Sequence, residues 1–132
     1  MEIFGIGTDI IEISRIKKSI ESDRFLKRIF TDKEIEYFKS RGMKRESVAA
    51  TFSAKEAISK AVGTGIRGFN FNDIEVLRDE KGRPYVIAHG NFKKLCSDNN
   101  ICEIKVTLSH CREYAVANAM AITRSEEVWW MI

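Results

Sequence analysis

The apolar pattern begins as a strict alternation. Phe4, Ile6, Thr8 and Ile10 fall on one side of an extended chain, and Ile3, Gly5, Gly7, Asp9 and Ile11 on the other, so residues 3–11 are predicted as a strand. Glycine weakens a strand, and two on one face imply close approach by another backbone or by a ligand. They also leave Asp9 beside cleared space. The period then lengthens. Ile13, Ile16 and Ile20 predict a short amphipathic helix with Arg15, Lys17 and Lys18 turned outward. Phe25, Leu26, Ile29 and Phe30 form a second apolar cluster, interrupted by Arg24, Lys27 and Arg28. Thr31-Asp32-Lys33-Glu34 is a capping box, so a helix follows it, burying Ile35 and Phe38 and ending near Gly42.

The longest helical stretch runs from Val48 to Gly65. At ~100° per residue, Ala50, Ala54, Ala57, Ile58, Ala61 and Val62 share one side, which has little bulk and can lie close to a sheet. Phe52, Glu56 and Lys60 form a row on the opposite side. Gly63 is placed to end the helix in the left-handed conformation. Asp73–Arg78 and Pro84–Ala88 then read as a hairpin through Gly82. Asn91–Ser97 reads as a short helix, and Ile104, Val106 and Leu108 mark a half-buried strand. A tight connection through His110-Cys111-Arg112-Glu113 returns into Tyr114–Ile122, whose Ala115, Ala117, Ala119 and Ala121 make a small-residue face. The alanine side of the long helix is expected to pack there. Helices early and hairpins late predict a single α+β domain, with an antiparallel sheet against one long central helix plus short helices.

Composition narrows the function classes. A chain of 132 residues with 44% hydrophobic and 31% charged residues has the make-up of one ordinary globular domain. Glu2 replaces a basic leader region and Gly5 and Gly7 break the first apolar run, so no signal peptide or membrane span is expected and the location is expected to be cytoplasmic. Cys96, Cys102 and Cys111 form no C-x-x-C pair and read as reduced, buried or semi-buried thiols. The net charge of +3 is uneven: Arg15 to Arg45 holds eleven Lys/Arg against five Asp/Glu, a local +6 that leaves −3 for the rest. That asymmetry points to an acidic partner, a nucleic acid or an acidic protein, unless it is only a solvated helix surface.

The candidate chemical groups each have an ordinary reading too. Glu56 and Lys60 are four apart, the spacing of a common helix-surface pair worth ~0.3–0.5 kcal/mol. Asp9 could be an edge aspartate and His110 a turn residue. Gly63-Thr64-Gly65 is first a helix stop. An anion there would face the negative end of the helix dipole, so only free turn amides and nearby cations could attract it.

In combination, these residues carry a resemblance. Gly5-Ile-Gly-Thr-Asp-Ile-Ile-Glu-Ile-Ser-Arg-Ile16, Arg24-Phe25 with Phe30-Thr31, and Phe52-Ser-Ala-Lys-Glu-Ala-Ile-Ser-Lys-Ala-Val-Gly-Thr-Gly-Ile66 occur in order. Asp73-Ile-Glu-Val76, Gly82-Arg-Pro84, Val106-Thr-Leu-Ser-His110 and Glu113-Tyr-Ala115 follow. The chain resembles the holo-acyl-carrier-protein synthase branch of the 4′-phosphopantetheinyl transferases across nearly all of residues 3–122. The resemblance implies that fold, and transfer of the phosphopantetheine arm of coenzyme A to a serine of apo-acyl-carrier protein, with release of adenosine 3′,5′-bisphosphate, in support of fatty acid biosynthesis.

It also implies roles. Asp9 and Glu56 would hold Mg²⁺, and Lys60 would contact a coenzyme A phosphate, with Glu56 and Lys60 as the catalytic pair. Gly63, Gly65, Ser109 and His110 would lie on coenzyme A. The base for the serine proton stays open between Glu56 and a water on the metal. Arg15, Arg24 and Arg28, with Phe25 as apolar anchor, would dock the acidic carrier protein, and a homotrimer with active sites shared between neighbours is expected. Two features depart from the family pattern. Thr51 stands where many relatives have arginine. The domain is expected to span residues 1–122, with the 123–132 tail, including Val128-Trp-Trp-Met-Ile132, outside the pattern and packed on its own trimer or a neighbouring surface. The competing reading is a small basic nucleic-acid-binding domain, permitted by the aromatics among basics at Arg24–Phe30. No recognised nucleic-acid motif is present, so neither nucleic acid nor membrane is expected as a partner.

Overall fold

The computed structural model describes residues 1–124. Strand β1 (Glu2–Glu12) leads into four helices, α1 (Ile13–Ser19), α2 (Asp23–Ile29), α3 (Asp32–Ser40) and α4 (Arg45–Ala61). A 3₁₀ turn at Phe71–Asp73 precedes the hairpin β2 (Ile74–Arg78) and β3 (Pro84–Ala88), then α5 (Gly90–Asp98), β4 (Ile101–His110) and β5 (Tyr114–Thr123). β1, β5 and β4 form an antiparallel sheet in that spatial order, and β2 with β3 forms a second one. The α+β expectation holds, with the strands divided between two sheets. The apolar tail Val128–Ile132 lies outside the described residues.

The glycine question on β1 is resolved by a backbone. A Cβ at Gly5 would run into the carbonyl of Ala61, and one at Gly7 into the carbonyl of Ala57 and, at 2.8 Å, the Ala61 nitrogen. The cleared face is therefore filled by α4, which presses on β1 and brings Asp9 against its side. Ala54, Ala57 and Ala61 are buried in one core with Ala117, Ala119 and Ala121 of β5, as the small-residue faces predicted. A second core gathers Ile13, Ile16, Leu26, Ile29, Phe30 and Phe38 with Val48 and Ala50 at the start of α4. Each fully buried large side chain there, such as Phe30 or Phe38, contributes roughly 1.5–3 kcal/mol.

Both capping-box bonds form at α3: Thr31 Oγ1 accepts from the Glu34 amide, and Glu34 accepts from the Thr31 amide. Glu34 does more than cap. Its Oε1 also lies 2.7 Å from the fully buried Lys55 Nζ, which donates in addition to the carbonyls of Ile29, Phe71 and Ile74. Its Oε2 accepts from Val76 N at 2.8 Å. Burial pushes the Glu34 carboxyl up and the Lys55 ammonium down in pKa, and each charge opposes the shift of the other. One buried ion pair thus ties α2, α3, the 3₁₀ turn and β2 to the middle of α4; breaking it from either side costs about 3–5 kcal/mol.

Two details differ from the sequence expectation. Cys96 is buried, but Cys102 and Cys111 are exposed, because one sits on an open strand face and the other in the β4–β5 turn. An irregularity in the β1–β5 register between Ile3 and Gly5 leaves Ile3 exposed beside Phe4, Ile6 and Ile10.

Candidate active site

The centre of interest is the seam between β1 and the second half of α4. Ser53, one residue past Phe52, donates to Oδ2 of Asp9 at 2.9 Å and lies 3.0 Å from its backbone carbonyl. This clamps the aspartate at the strand–helix contact that the glycines permit. Two turns further along α4, Lys60 Nζ donates to the Thr8 carbonyl at 2.9 Å and approaches Asp9 Oδ1 at 3.3 Å. Lys60 remains about half exposed, while Asp9 is largely shielded.

Glu56 completes the row. Its side chain is partly buried, and no hydrogen bond or ion pair is formed by its carboxylate among the described residues. Burial, then the negative charge of Asp9, raises its pKa, and Lys60 only partly offsets this. Two carboxylates that repel each other at the rim of a helix make a ready place for a cation. No group of three or more His, Cys, Asp or Glu side chains gathers into a metal cluster among the described residues. A carboxylate pair still fits Mg²⁺, which takes oxygen ligands, keeps several waters and shares substrate phosphates.

The remaining candidates fall into three places. Gly63 and Gly65, with φ of 86° and 65°, turn the chain directly after Lys60. Gly65 N donates to the Ser59 carbonyl at 3.1 Å, which shows why left-handed backbone is needed there. His110 ends β4 and lines a cleft of about 700 Å³ with Glu46, Ser47, Arg78, Arg83 and Tyr85. Ser109 precedes it on the opposite strand face, paired with Val116. Ala50, at the wall of the cleft, and Lys60 are ten residues apart on α4, or about 15 Å along its axis. Within one chain, none of Asp9, Glu56 and Lys60 lines the cleft that holds His110.

The basic candidates share another surface. Arg15 on α1 and Arg24 and Arg28 on α2 are exposed. Phe25 stacks on Phe52 at 6.4 Å between ring centroids, and Phe52 stacks in turn on Phe71 at 5.4 Å. The aromatic end of the Phe52–Glu56–Lys60 row therefore meets the basic helices. Sequence reasoning passed over Ser53 and Lys55, although both lie inside the quoted motif. Spacing on α4 puts Ser53 on the side of Glu56 and turns Lys55 away from it, but does not say what either would meet.

Comparison with known proteins gives one answer. A family model described as the 4′-phosphopantetheinyl transferase superfamily matches residues 5–119. A protein named holo-[acyl-carrier-protein] synthase from Thermoanaerobacter sp. (strain X514) is 51% identical over 123 residues, covering 92% of this chain and 88% of that relative. The crystal structure of holo-[acyl-carrier-protein] synthase from Neisseria meningitidis matches with a TM-score of 0.85 at 33% identity, over 92% of this chain and 100% of that one. A holo-(acyl-carrier-protein) synthase from Bacillus anthracis str. Ames, solved in complex with CoA (3′,5′-ADP), matches with a TM-score of 0.75 at 39% identity, over 92% and 98% of the two chains.

Proposed function

The chain belongs to the 4′-phosphopantetheinyl transferase superfamily, and from its likeness to holo-acyl-carrier-protein synthases we infer that it transfers the 4′-phosphopantetheine arm of coenzyme A to a serine of apo-acyl-carrier protein. The products are holo-carrier protein and adenosine 3′,5′-bisphosphate, in support of fatty acid biosynthesis. The observation that carries the residue assignment is the juxtaposition of Asp9, Glu56 and Lys60 on the β1–α4 seam.

The serine Oγ bonds to the phosphorus of the pantetheine phosphate, and the P–O bond to the adenosine bisphosphate breaks, leaving the electron pair on the departing oxygen. Asp9 and Glu56 are the residues that would hold Mg²⁺. Bound there, the ion supplies charge neutralisation for the pyrophosphate. Lys60 adds a point charge toward a substrate phosphate. Glu56 is the side chain we assign to accept the serine proton. The backbone at Gly63 and Gly65, with Ser109 and His110, contacts coenzyme A. Arg15, Arg24 and Arg28 attract the acidic carrier protein, and Phe25, stacked on Phe52, gives it an apolar anchor.

The assembly is a homotrimer with active sites between subunits. Support comes from the outer face of the sheet, where Phe4, Ile6 and Ile10 are 41%, 70% and 63% exposed. Such a face is costly to leave in water. The absence of Asp9, Glu56 and Lys60 from the cleft that holds His110 also suits a site built from two chains. Residues 1–122 form the catalytic domain and 123–132 an appended tail. Among the described residues no helix is long and apolar enough to cross a membrane, in keeping with a cytoplasmic location.

Mass spectrometry of an apo carrier protein incubated with this chain, coenzyme A and Mg²⁺ tests the reading. One phosphopantetheine added to the carrier serine is expected. An unmodified carrier in the presence of folded protein would remove the transferase assignment.

A further inference from the structure

Arg78 is a cation that the reading above leaves without a task. It ends β2 and lines the 700 Å³ cleft. Its Nη2 donates to Thr51 Oγ1 at 3.0 Å, and its guanidinium lies 5.3 Å from the centroid of the Tyr37 ring. Nη1 reaches only the Val76 carbonyl, at 3.5 Å. Thr51 is itself held, donating to the Ser47 carbonyl at 2.9 Å. These partners are all neutral. Burial lowers the pKa of Arg78, with Tyr37 and Glu34 opposing the shift.

The acids around the cleft are engaged elsewhere. Asp79 Oδ1 accepts from the amides of Lys81 and Arg83, each at 2.9 Å. Glu46 lies 3.7 Å from Arg45, and Glu103 lies 3.5 Å from Lys105. Among the described residues, then, a partly desolvated guanidinium is oriented by a hydroxyl and an aromatic face, with no carboxylate paired to it. Holding a charge this way is unfavourable unless an anion arrives, and a guanidinium fork suits phosphate. A cleft of this volume is the size of a small-molecule site, which ranges from ~300 to 1,000 Å³.

The Thr51 hydroxyl is where the Arg78 fork rests. We propose that Arg78 delivers, from the neighbouring strand, the phosphate-binding guanidinium of this cleft, and that it contacts a phosphate of the coenzyme A nucleotide. The proposal rests on the transferase reading. It makes Arg78 a binding residue: it acts on the affinity for coenzyme A and leaves the chemical step alone.

Calorimetric titration with coenzyme A and with dephospho-coenzyme A, which lacks the 3′-phosphate, tests it. Arg78→Gln keeps a donor for Thr51, and Arg78→Met keeps the packing on Tyr37. In either variant, coenzyme A affinity is expected to fall about 10- to 100-fold, the range for a charge-assisted bond to an anion. KM for coenzyme A rises, while kcat and the carrier KM stay near those of the parent. Loss confined to coenzyme A assigns the 3′-phosphate; equal loss with dephospho-coenzyme A assigns the pyrophosphate. Affinity within about twofold of the parent in both single variants overturns the proposal. Carrier modification by the parent protein separates the two ideas: if the parent modifies the carrier and the variants bind normally, only the Arg78 assignment falls.

Discussion

The ammonium of Lys60 lies 3.3 Å from Oδ1 of Asp9 and donates to the Thr8 carbonyl, so its partner is on β1 and not at Glu56, one turn back on its own helix. The i, i+4 spacing that looked like a surface salt bridge is therefore incidental. Lys60 reaches across the seam, and Glu56 is left with a raised pKa and a carboxylate facing the same gap as Asp9.

That arrangement has a signed consequence for Glu56. A carboxyl whose folded pKa lies above its ordinary 4.5 is stabilised by folding in its protonated form. Its contribution to stability is present below about pH 4.5 and is lost as the pH rises through the higher folded value. Glu56→Gln should therefore match or exceed the parent in Tm at neutral pH, with the advantage vanishing in acid. Turnover should fall by at least ~100-fold. Thermal melts across pH, paired with the carrier assay, check both; full activity in the variant would remove Glu56 from the site.

Carrier docking is electrostatic if the exposed arginines of α1 and α2 serve as proposed. Arg15→Glu should raise the carrier KM by roughly tenfold or more, while KM for coenzyme A barely moves. Added salt should weaken the parent's carrier KM in the same selective way. Steady-state kinetics with each substrate varied in turn decides it. Equal effects on both substrates would refute the docking role.

The closeness of β1 and α4 depends on hydrogen as a side chain. Gly7→Ala would drive a methyl group into the Ala57 carbonyl and the Ala61 nitrogen, both parts of a rigid helix. A cost of ~2–3 kcal/mol is expected, or a Tm lower by roughly 10 °C. Denaturation measures the cost. Asp9 and Lys60 would also separate, so activity should fall further than stability alone explains.

Ile6 is 70% exposed on the outer sheet face. Ile6→Lys should leave the single-chain fold intact, since it touches nothing in the core, and shift the sedimentation mass from that of the proposed trimer toward monomer. Activity should drop with assembly if the site is shared between subunits. A variant that stays trimeric would show that this face is not the interface.

Much of this molecule follows from local pattern. The glycine-interrupted alternation of β1, the capping box at Thr31, the alanine stripe of α4 and the hairpin at Gly82 are short-range signals, and each element appears where its pattern placed it. The motif around Phe52–Ile66 also pointed to the family, because its residue types and spacing are set by one helix. What the sequence could not determine depends on contacts between distant segments. Whether Gly5 and Gly7 admit a ligand or a backbone was decided by α4 lying on β1. Lys55, one residue from Glu56 in the chain, faces the other way into a buried pair with Glu34. Arg78 reaches Thr51 across 27 positions of sequence. Periodicity says which residues share a face, because that is fixed by backbone geometry. Which groups meet across the core is set by packing of the whole chain, and the charge environments of Asp9, Glu56, Lys60 and Arg78 follow from that packing.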